Sequence, residues 1–340
     1  MIYRSKAPLR IGLAGGGTDV SPYADLYGGA ILNATISLFA HANIELIPQP
    51  TIIVTAQDRG EEETYPFINS LPINGTLDLL KAVYNRIQKD YPFAEQGFRL
   101  STFVDAPAGS GLGTSSTLVV AILGAFVEML KLPLGDYDIA HYAFDIERND
   151  LQLAGGRQDQ YAATFGGVNF MEFYKDDKVI VNPLRIKSQY LHELENNLLL
   201  FFTATSRQSA TIIKEQVQNV RGNNEKSIVA MHLLKDQANM MKEALLKGKV
   251  NDIGAILDYG FEQKRKMAAS ISNTQLDAIY DQAKKAGATG GKISGAGGGG
   301  FMIFYCPANT RYKVAEALSV VEGEVKKFTF TKYGLSTWTA

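Results

Sequence analysis

Apolar and polar positions alternate along LRIGLA near the N-terminus, break at GGGTD, and resume in AILNATISLFAHANIELI. That pattern predicts two strands joined through a glycine loop. TIIVTA follows closely and predicts a hairpin partner for the second strand. Between Thr76 and Asp90 the period lengthens to a helical one, with Leu77, Leu80, Val83, Tyr84 and Ile87 on one face. FRLSTFVDAP reads as a strand running into AGSGLGTSST, residues 108 to 117, and on into a helix from Thr117 to Leu130. This helix is apolar almost all round, which predicts burial. A second helix from Tyr137 to Asn149 follows a Pro-Leu-Gly turn, and QYAATFGGVNFMEFY predicts a helix end and then a strand. The pattern loosens near Pro183, and NLLLFFTA starts again as a buried strand. Residues 208 to 286 have the periodicity of four helices, and GGKISGAGGGGFMIFY reads as strand, glycine loop, strand. An α+β chain of two domains, 1–185 and 186–340, is expected.

Composition narrows the chemistry. With 46% hydrophobic and 20% charged residues, 340 residues can bury a substantial core. The formal net charge of -1 gives no global electrostatic reason to bind nucleic acid or an acidic membrane. Cys306 stands alone and cannot form an internal disulfide, while His41, His141, His192 and His232 show no metal-site spacing. MIYRSKAPLRIGL lacks the apolar core of a signal peptide, and the run from Leu118 to Leu130 is short for a membrane span and contains Glu128. A cytoplasmic setting is expected, with neither membrane nor nucleic acid as partner, and a monomer or homodimer.

Two readings of AGSGLGTSST stay open on residues alone. One is a tight strand-to-helix turn, with glycine supplying positive φ and a serine or threonine the N-cap. The other is a phosphate cradle, in which bare backbone and the N-H groups of a helix head meet an anion. GxxxxGK[ST] fails because no lysine follows Gly113, and GxGxxG fails on the spacing of Gly109, Gly111 and Gly113. GGGTDV likewise places Val20 where a third glycine is required, so mononucleotide phosphate suits the loop better than a dinucleotide. In the second loop, five of the six residues from Gly295 to Gly300 are glycine, more than a hairpin needs. Such a run marks close approach of backbone to a ligand or to another chain segment.

Taken together, APLRIGLAGGGTD, PAGSGLGTSST, RQDQYAATFGG and ISGAGGGGF resemble the motifs of the GHMP kinase family, in the family's order and over nearly the whole chain. Within it, GGGTD with GGAILNATIS and QDQYAATFGGVNFMEF looks most like the bacterial kinases of D-glycero-D-manno-heptose 7-phosphate that feed GDP-heptose synthesis. The resemblance implies a first domain like a ribosomal-protein or elongation-factor domain, a ferredoxin-like second domain, and a site between them. It implies an ATP-dependent sugar kinase that phosphorylates the anomeric hydroxyl to give the 1,7-bisphosphate. ATP phosphates would lie on Gly109, Ser110, Gly111, Leu112, Gly113, Thr114, Ser115 and Ser116, with Mg2+ held by Ser116 and Glu147. Asp159 would act as base or orient the acceptor hydroxyl, and Arg10 would stabilise both that aspartate and the transferring group.

Phosphoryl transfer asks for positioning, a cation and a metal rather than covalent chemistry, which suits this set. Gly16, Gly17, Thr18 and Asp19 suit recognition of sugar hydroxyls, and Gly297 and Gly298 are candidates for the same substrate. Lys6, Arg157 and Lys292 lie near the motifs and are either ordinary surface cations or ligands of the substrate's own phosphate; Arg157 is retained as a candidate. Other acceptors in the family, fucose-like or galactose-like, remain alternatives, as does a catalytically silent nucleotide- or sugar-binding regulator.

Overall fold

The computed structural model describes residues 1–205 and 209–340. The first half runs β1 (Ile2–Ala14), α1 (Tyr23–Tyr27), β2 (Gly29–Leu46), β3 (Thr51–Ala56), β4 (Glu61–Pro66), α2 (Asp78–Asp90), β5 (Phe98–Val104), α3 (Thr114–Leu130), α4 (Asp136–Asp145), α5 (Gln158–Phe165), β6 (Val168–Phe173) and β7 (Val179–Pro183). The second runs α6 (Ser188–Asn197), β8 (Leu198–Phe202), α7 (Ser209–Arg221), α8 (Glu225–Lys247), α9 (Ile253–Arg265), α10 (Thr274–Lys285), β9 (Gly290–Ile293), β10 (Phe301–Tyr305), α11 (Thr310–Leu318), β11 (Glu324–Lys326) and β12 (Ser336–Thr339). The four helices expected between residues 208 and 286 are α7 to α10; Gln208 itself lies outside the described residues.

β2 organises the first sheet. Its first half, Gly29–Ala34, pairs with β6, and its second half, Ala40–Leu46, pairs with β5, while β1 runs along its other side. The strand order is β12-β1-β2-β5-β3-β4. TIIVTA is therefore not the hairpin partner of β2. β5 lies between them, and β3 instead forms an antiparallel pair with β4 and a parallel one with β5. Parallel pairing requires a crossover, here the chain through β4 and α2, and local alternation carries no record of such a distant partner.

The second sheet, β11-β8-β10-β9, is antiparallel throughout. Strand alternation splits its residues between two cores. Leu198, Leu200, Phe301, Ile303 and Tyr305 meet α8 and α9 together with Leu9, Ile11 and Leu13 of β1. Leu199, Phe201, Met302 and Phe304 meet α10 and α11. The first of these cores joins the two halves of the molecule, so residues on β1 and on α9 are held rigidly with respect to each other.

The expected boundary near residue 185 falls between β7 and α6. The end of the chain, however, crosses back. β12 pairs with β1, the Thr331 N-H donates to the Thr35 carbonyl, and Leu335 packs where a side chain at Gly124 would stand. Residues 329–340 thus belong structurally with the first sheet. Among the described residues no helix is long and apolar enough to cross a membrane.

Candidate active site

β5 leads into the loop before α3, where Gly109, Gly111 and Gly113 have φ of 73°, 79° and 77°. Only glycine adopts such values at no steric cost. α3 begins at Thr114, three residues earlier than periodicity predicts, because the apolar stripe starts only after the first turn. Its N-cap is Gly113, with no side-chain cap, so neither a serine nor a threonine closes the helix head. The Thr117 N-H is the first to reach back, to the Gly113 carbonyl. The preceding first-turn N-H groups, on Thr114, Ser115 and Ser116, have no intrahelical acceptor. These three residues line a cleft of about 550 Å³.

The eight loop candidates divide by orientation. Gly109, Gly111, Gly113, Thr114, Ser115 and Ser116 line the cleft. Ser110 and Leu112 do not: both are fully buried, and their carbonyls accept from Phe301 N-H and Arg10 N-H. They anchor the loop to β10 and β1. The second glycine loop backs the first. A Cβ on Gly295 would stand 2.7 Å from Gly111 Cα, and one on Gly300 would collide with the Ser110 carbonyl oxygen. Gly297 packs against Ile271, and the Gly298 N-H donates to the Ile271 carbonyl at 2.8 Å. Neither lines the cleft, although Gly295 and Ala296 do.

α5 carries Asp159 in its first turn, directly beside the head of α3. A Cβ on Gly113 would stand 3.0 Å from Asp159 Cγ. Arg10 comes from β1, where the register with β2 shifts between Pro8 and Arg10. It is buried, with Nε and Nη2 both 2.6 Å from Asp159 Oδ1. Its Nη1 donates to the Gly111 carbonyl, also at 2.6 Å. One guanidinium therefore fixes the carboxylate and the glycine loop together, in the planar two-point geometry that arginine supports. Among the described residues Oδ2 accepts no hydrogen bond.

Glu147 occupies a π-helical turn, Ile146–Asp150, that continues α4; such turns are frequent at functional sites. The turn brings Glu147 into the cleft lining beside Ser116. The Gln160 amide Nε2 donates both to Ser116 Oγ at 3.1 Å and to Glu147 Oε2, which places the two oxygens around one point. Sequence reading missed Gln160. It lies inside RQDQYAATFGG but has no chemistry of its own to mark it.

Asp19 is buried and lines the cleft, its Oδ2 accepting from the backbone N-H of Arg157 at 2.9 Å and of Gln158 at 3.1 Å. Burial pushes its pKa above the ordinary carboxylate value and the nearby Asp159 charge adds to the rise, against those two N-H donors. Gly17 also lines the cleft. Thr18 turns away: its hydroxyl donates to the Gly15 and Ala30 carbonyls and holds the turn. Gly16 is not in the lining, and its carbonyl accepts from Lys264. The Arg157 guanidinium pairs with Asp25 and Asp177 and donates to the Tyr174 carbonyl, outside the cleft lining, so it is buried rather than a surface cation.

Two buried lysines of the second domain stand at the cleft wall, Lys264 in its lining and Lys292 behind it. Lys264, on α9, lines the cleft and donates to the Gly295 carbonyl at 2.7 Å. Burial lowers its pKa to about 8, with Asp19 opposing that shift and Arg10 adding to it. Lys292, on β9, donates to the Gly12 carbonyl at 2.6 Å, and burial together with Lys264 and Arg10 lowers its pKa. It too is buried rather than a surface cation, whereas Lys6 stands over the Phe39 ring. Lys264 had no sequence signal, since FEQKRKM reads as a solvated helix face.

Comparison with known proteins agrees with this geometry. Residues 78–167 match the GHMP kinases N terminal domain, and residues 241–321 match the GHMP kinases C terminal domain. The chain is 46% identical over 335 residues to the D-glycero-alpha-D-manno-heptose 7-phosphate kinase of Campylobacter jejuni, covering 98% of each. A crystal structure described as a D-glycero-D-manno-heptose 1-phosphate kinase, from Bacteroides thetaiotaomicron, superposes with a TM-score of 0.86 at 45% identity, over 99% of each chain. Galactokinase of Lactococcus lactis, at 17% identity and a TM-score of 0.76 over 100% of this chain and 95% of that one, shares the fold. A whole-chain match at this identity, with both family domains in order around one cleft, places this protein in the GHMP kinase family.

Proposed function

We propose that the protein transfers the γ-phosphoryl group of ATP to the anomeric hydroxyl of D-glycero-D-manno-heptose 7-phosphate, giving the 1,7-bisphosphate in a cytoplasmic route to GDP-heptose. The observation that carries this reading is the Arg10 clamp, which holds Asp159 at the head of α3 beside the glycine loop. A triphosphate on the free N-H groups of Thr114, Ser115 and Ser116 meets the positive end of the helix dipole. Asp159 then accepts the proton of the attacking hydroxyl or orients it, with Oδ2 available and Oδ1 held by Arg10. Asp19 accepts hydrogen bonds from sugar hydroxyls, and Arg10 offsets charge on the transferring group.

The donor set fits a magnesium ion. Mg2+ in such sites takes one or two protein oxygens and completes its shell with phosphates and water. Ser116 Oγ and Glu147 Oε2, drawn to one Gln160 amide, supply that number. Among the described residues no cluster of three His, Cys, Asp or Glu forms a self-sufficient cage, so the ion would arrive with the nucleotide. When bound it neutralises charge on the phosphate oxygens.

The two heptose kinases named above differ in which phosphate their names specify. Initial rates of ADP release against heptose 7-phosphate, heptose 1-phosphate, free heptose, fucose, galactose and mevalonate test the reading. The highest kcat/KM is expected for heptose 7-phosphate. Turnover of fucose or galactose in preference to every heptose phosphate would reject the acceptor, and binding without any turnover would favour a regulator.

A further inference from the structure

The acceptor-side wall of the cleft holds donors that the transfer step does not use. Among the described residues Lys264 Nζ is bound only to backbone carbonyls, those of Gly295 at 2.7 Å and Gly16 at 3.4 Å. A buried ammonium with no carboxylate in ion-pair contact is a costly arrangement unless an anion arrives. Gln216, on α7, is buried, lines the same cleft, and its Nε2 has no hydrogen-bond partner among the described residues. Such an amide is costly when empty and is satisfied by a ligand oxygen.

Both side chains stand against the loop that carries Asp19. A Cβ on Gly16 would stand 3.5 Å from Lys264 Nζ, and one on Gly17 would stand 2.7 Å from Met267 Cε and 3.5 Å from the Gln216 amide oxygen Oε1. Glycine at position 17 thus makes room for Met267 and lets the Gln216 amide approach the loop. Lys292 Nζ lies behind, 3.9 Å from the same Gly16 position, and adds positive potential. Arg10, by contrast, is committed to Asp159 and Gly111 at the reacting end.

We infer that Lys264 and Gln216 form a subsite for the acceptor's own, non-reacting phosphate, so that the second domain selects phosphorylated over free sugars. This inference rests on the proposed acceptor class, and the transferred group itself lies outside the subsite.

The test compares heptose 7-phosphate with free D-glycero-D-manno-heptose in wild-type and Lys264→Met protein at saturating ATP. The preference for the phosphorylated acceptor in kcat/KM should fall by about 10- to 100-fold, through KM rather than kcat, with partial recovery in Lys264→Arg. Gln216→Met should show a smaller fall in the same ratio and serves if Lys264→Met does not fold. An equal loss of kcat on both acceptors would assign Lys264 to the transferring phosphoryl group and overturn the subsite. An unchanged ratio would overturn it as well. Wild-type protein inactive on heptose phosphates would instead reject the acceptor reading. Inorganic phosphate added to protein saturated with a non-hydrolysable ATP analogue then still decides the subsite: it should raise the melting temperature of wild type more than that of Lys264→Met, and equal shifts would reject it.

Discussion

The two glycine-rich loops meet beside the cleft and differ in what they face. Residues 109–113 turn alternate positions toward the cleft and leave the N-H groups of a helix head open. Residues 295–300 contribute only Gly295 and Ala296 to the lining and otherwise lie against Ser110, Gly111, Thr205 and Ile271. In the first loop glycine admits the Ser294 carbonyl at Gly111 and the Asp159 carboxylate at Gly113 while still lining the cleft, and in the second it makes room for the first loop, Thr205 and Ile271. A glycine run therefore signals close approach without naming what approaches.

Substitutions can break that comparison. The largest effect belongs to the group the first loop serves: Asp159→Ala should lower kcat by roughly 10²- to 10⁴-fold and, by leaving the buried Arg10 guanidinium without its carboxylate, should also lower the melting temperature, as steady-state kinetics and calorimetry would show. Gly113→Ala should come next. Its new methyl meets the Asp159 carboxylate at 3.0 Å, so kcat should drop by about 10-fold or more for a modest loss of stability. Gly300→Ala should reverse the proportions, because its methyl meets a backbone oxygen that cannot yield and its φ is 87°. Denaturant titration should register a loss of about 2–4 kcal/mol, from backbone strain plus overpacking.

A titration sharpens the acceptor side. Lys264, with its pKa near 8 among Asp19, Arg10 and Lys292, is charged at pH 7 and neutral by pH 9.5. Because the folded value is depressed, the cost of burying its charge is felt below pH 8 and is relieved as pH rises from 8 toward 10.5. Phosphate recognition should follow the opposite course. The KM for heptose 7-phosphate should rise several-fold between pH 7.5 and 9.5, and this rise should vanish in Lys264→Met. The smallest effect should come from Gly60→Ala, a surface control with φ of 65° and nothing within 4 Å of the new methyl, at about 1 kcal/mol of stability and unchanged kinetics.

Much of the fold was legible along the chain. Strand-like patterning marked β1 and β2, unbroken apolar runs marked β8, β10 and the body of α3, and helical periodicity marked α2. The motifs held Arg10, Asp159, Ser116 and Asp19, the resemblance added Glu147, and all five line one cleft. Thr18, Arg157, Gly297 and Gly298 sit within the same motifs and face elsewhere, because adjacency in a motif does not set the direction of a side chain. Lys264, Gln216 and Gln160 were invisible for the converse reason, being ordinary helix residues that only packing removes from water.

The succession of strands and helices along the chain, the buried helices and the glycines that free a helix head follow from the chain itself, since periodicity and φ preferences act between near neighbours. Strand pairing across β5, the return of β12 to β1, and the meeting of α7, α9 and the Asp19 loop were decided by tertiary structure alone. Those contacts join residues far apart in the chain, and their energies come from burial and from electrostatics in a shared, water-poor cleft that no local pattern records.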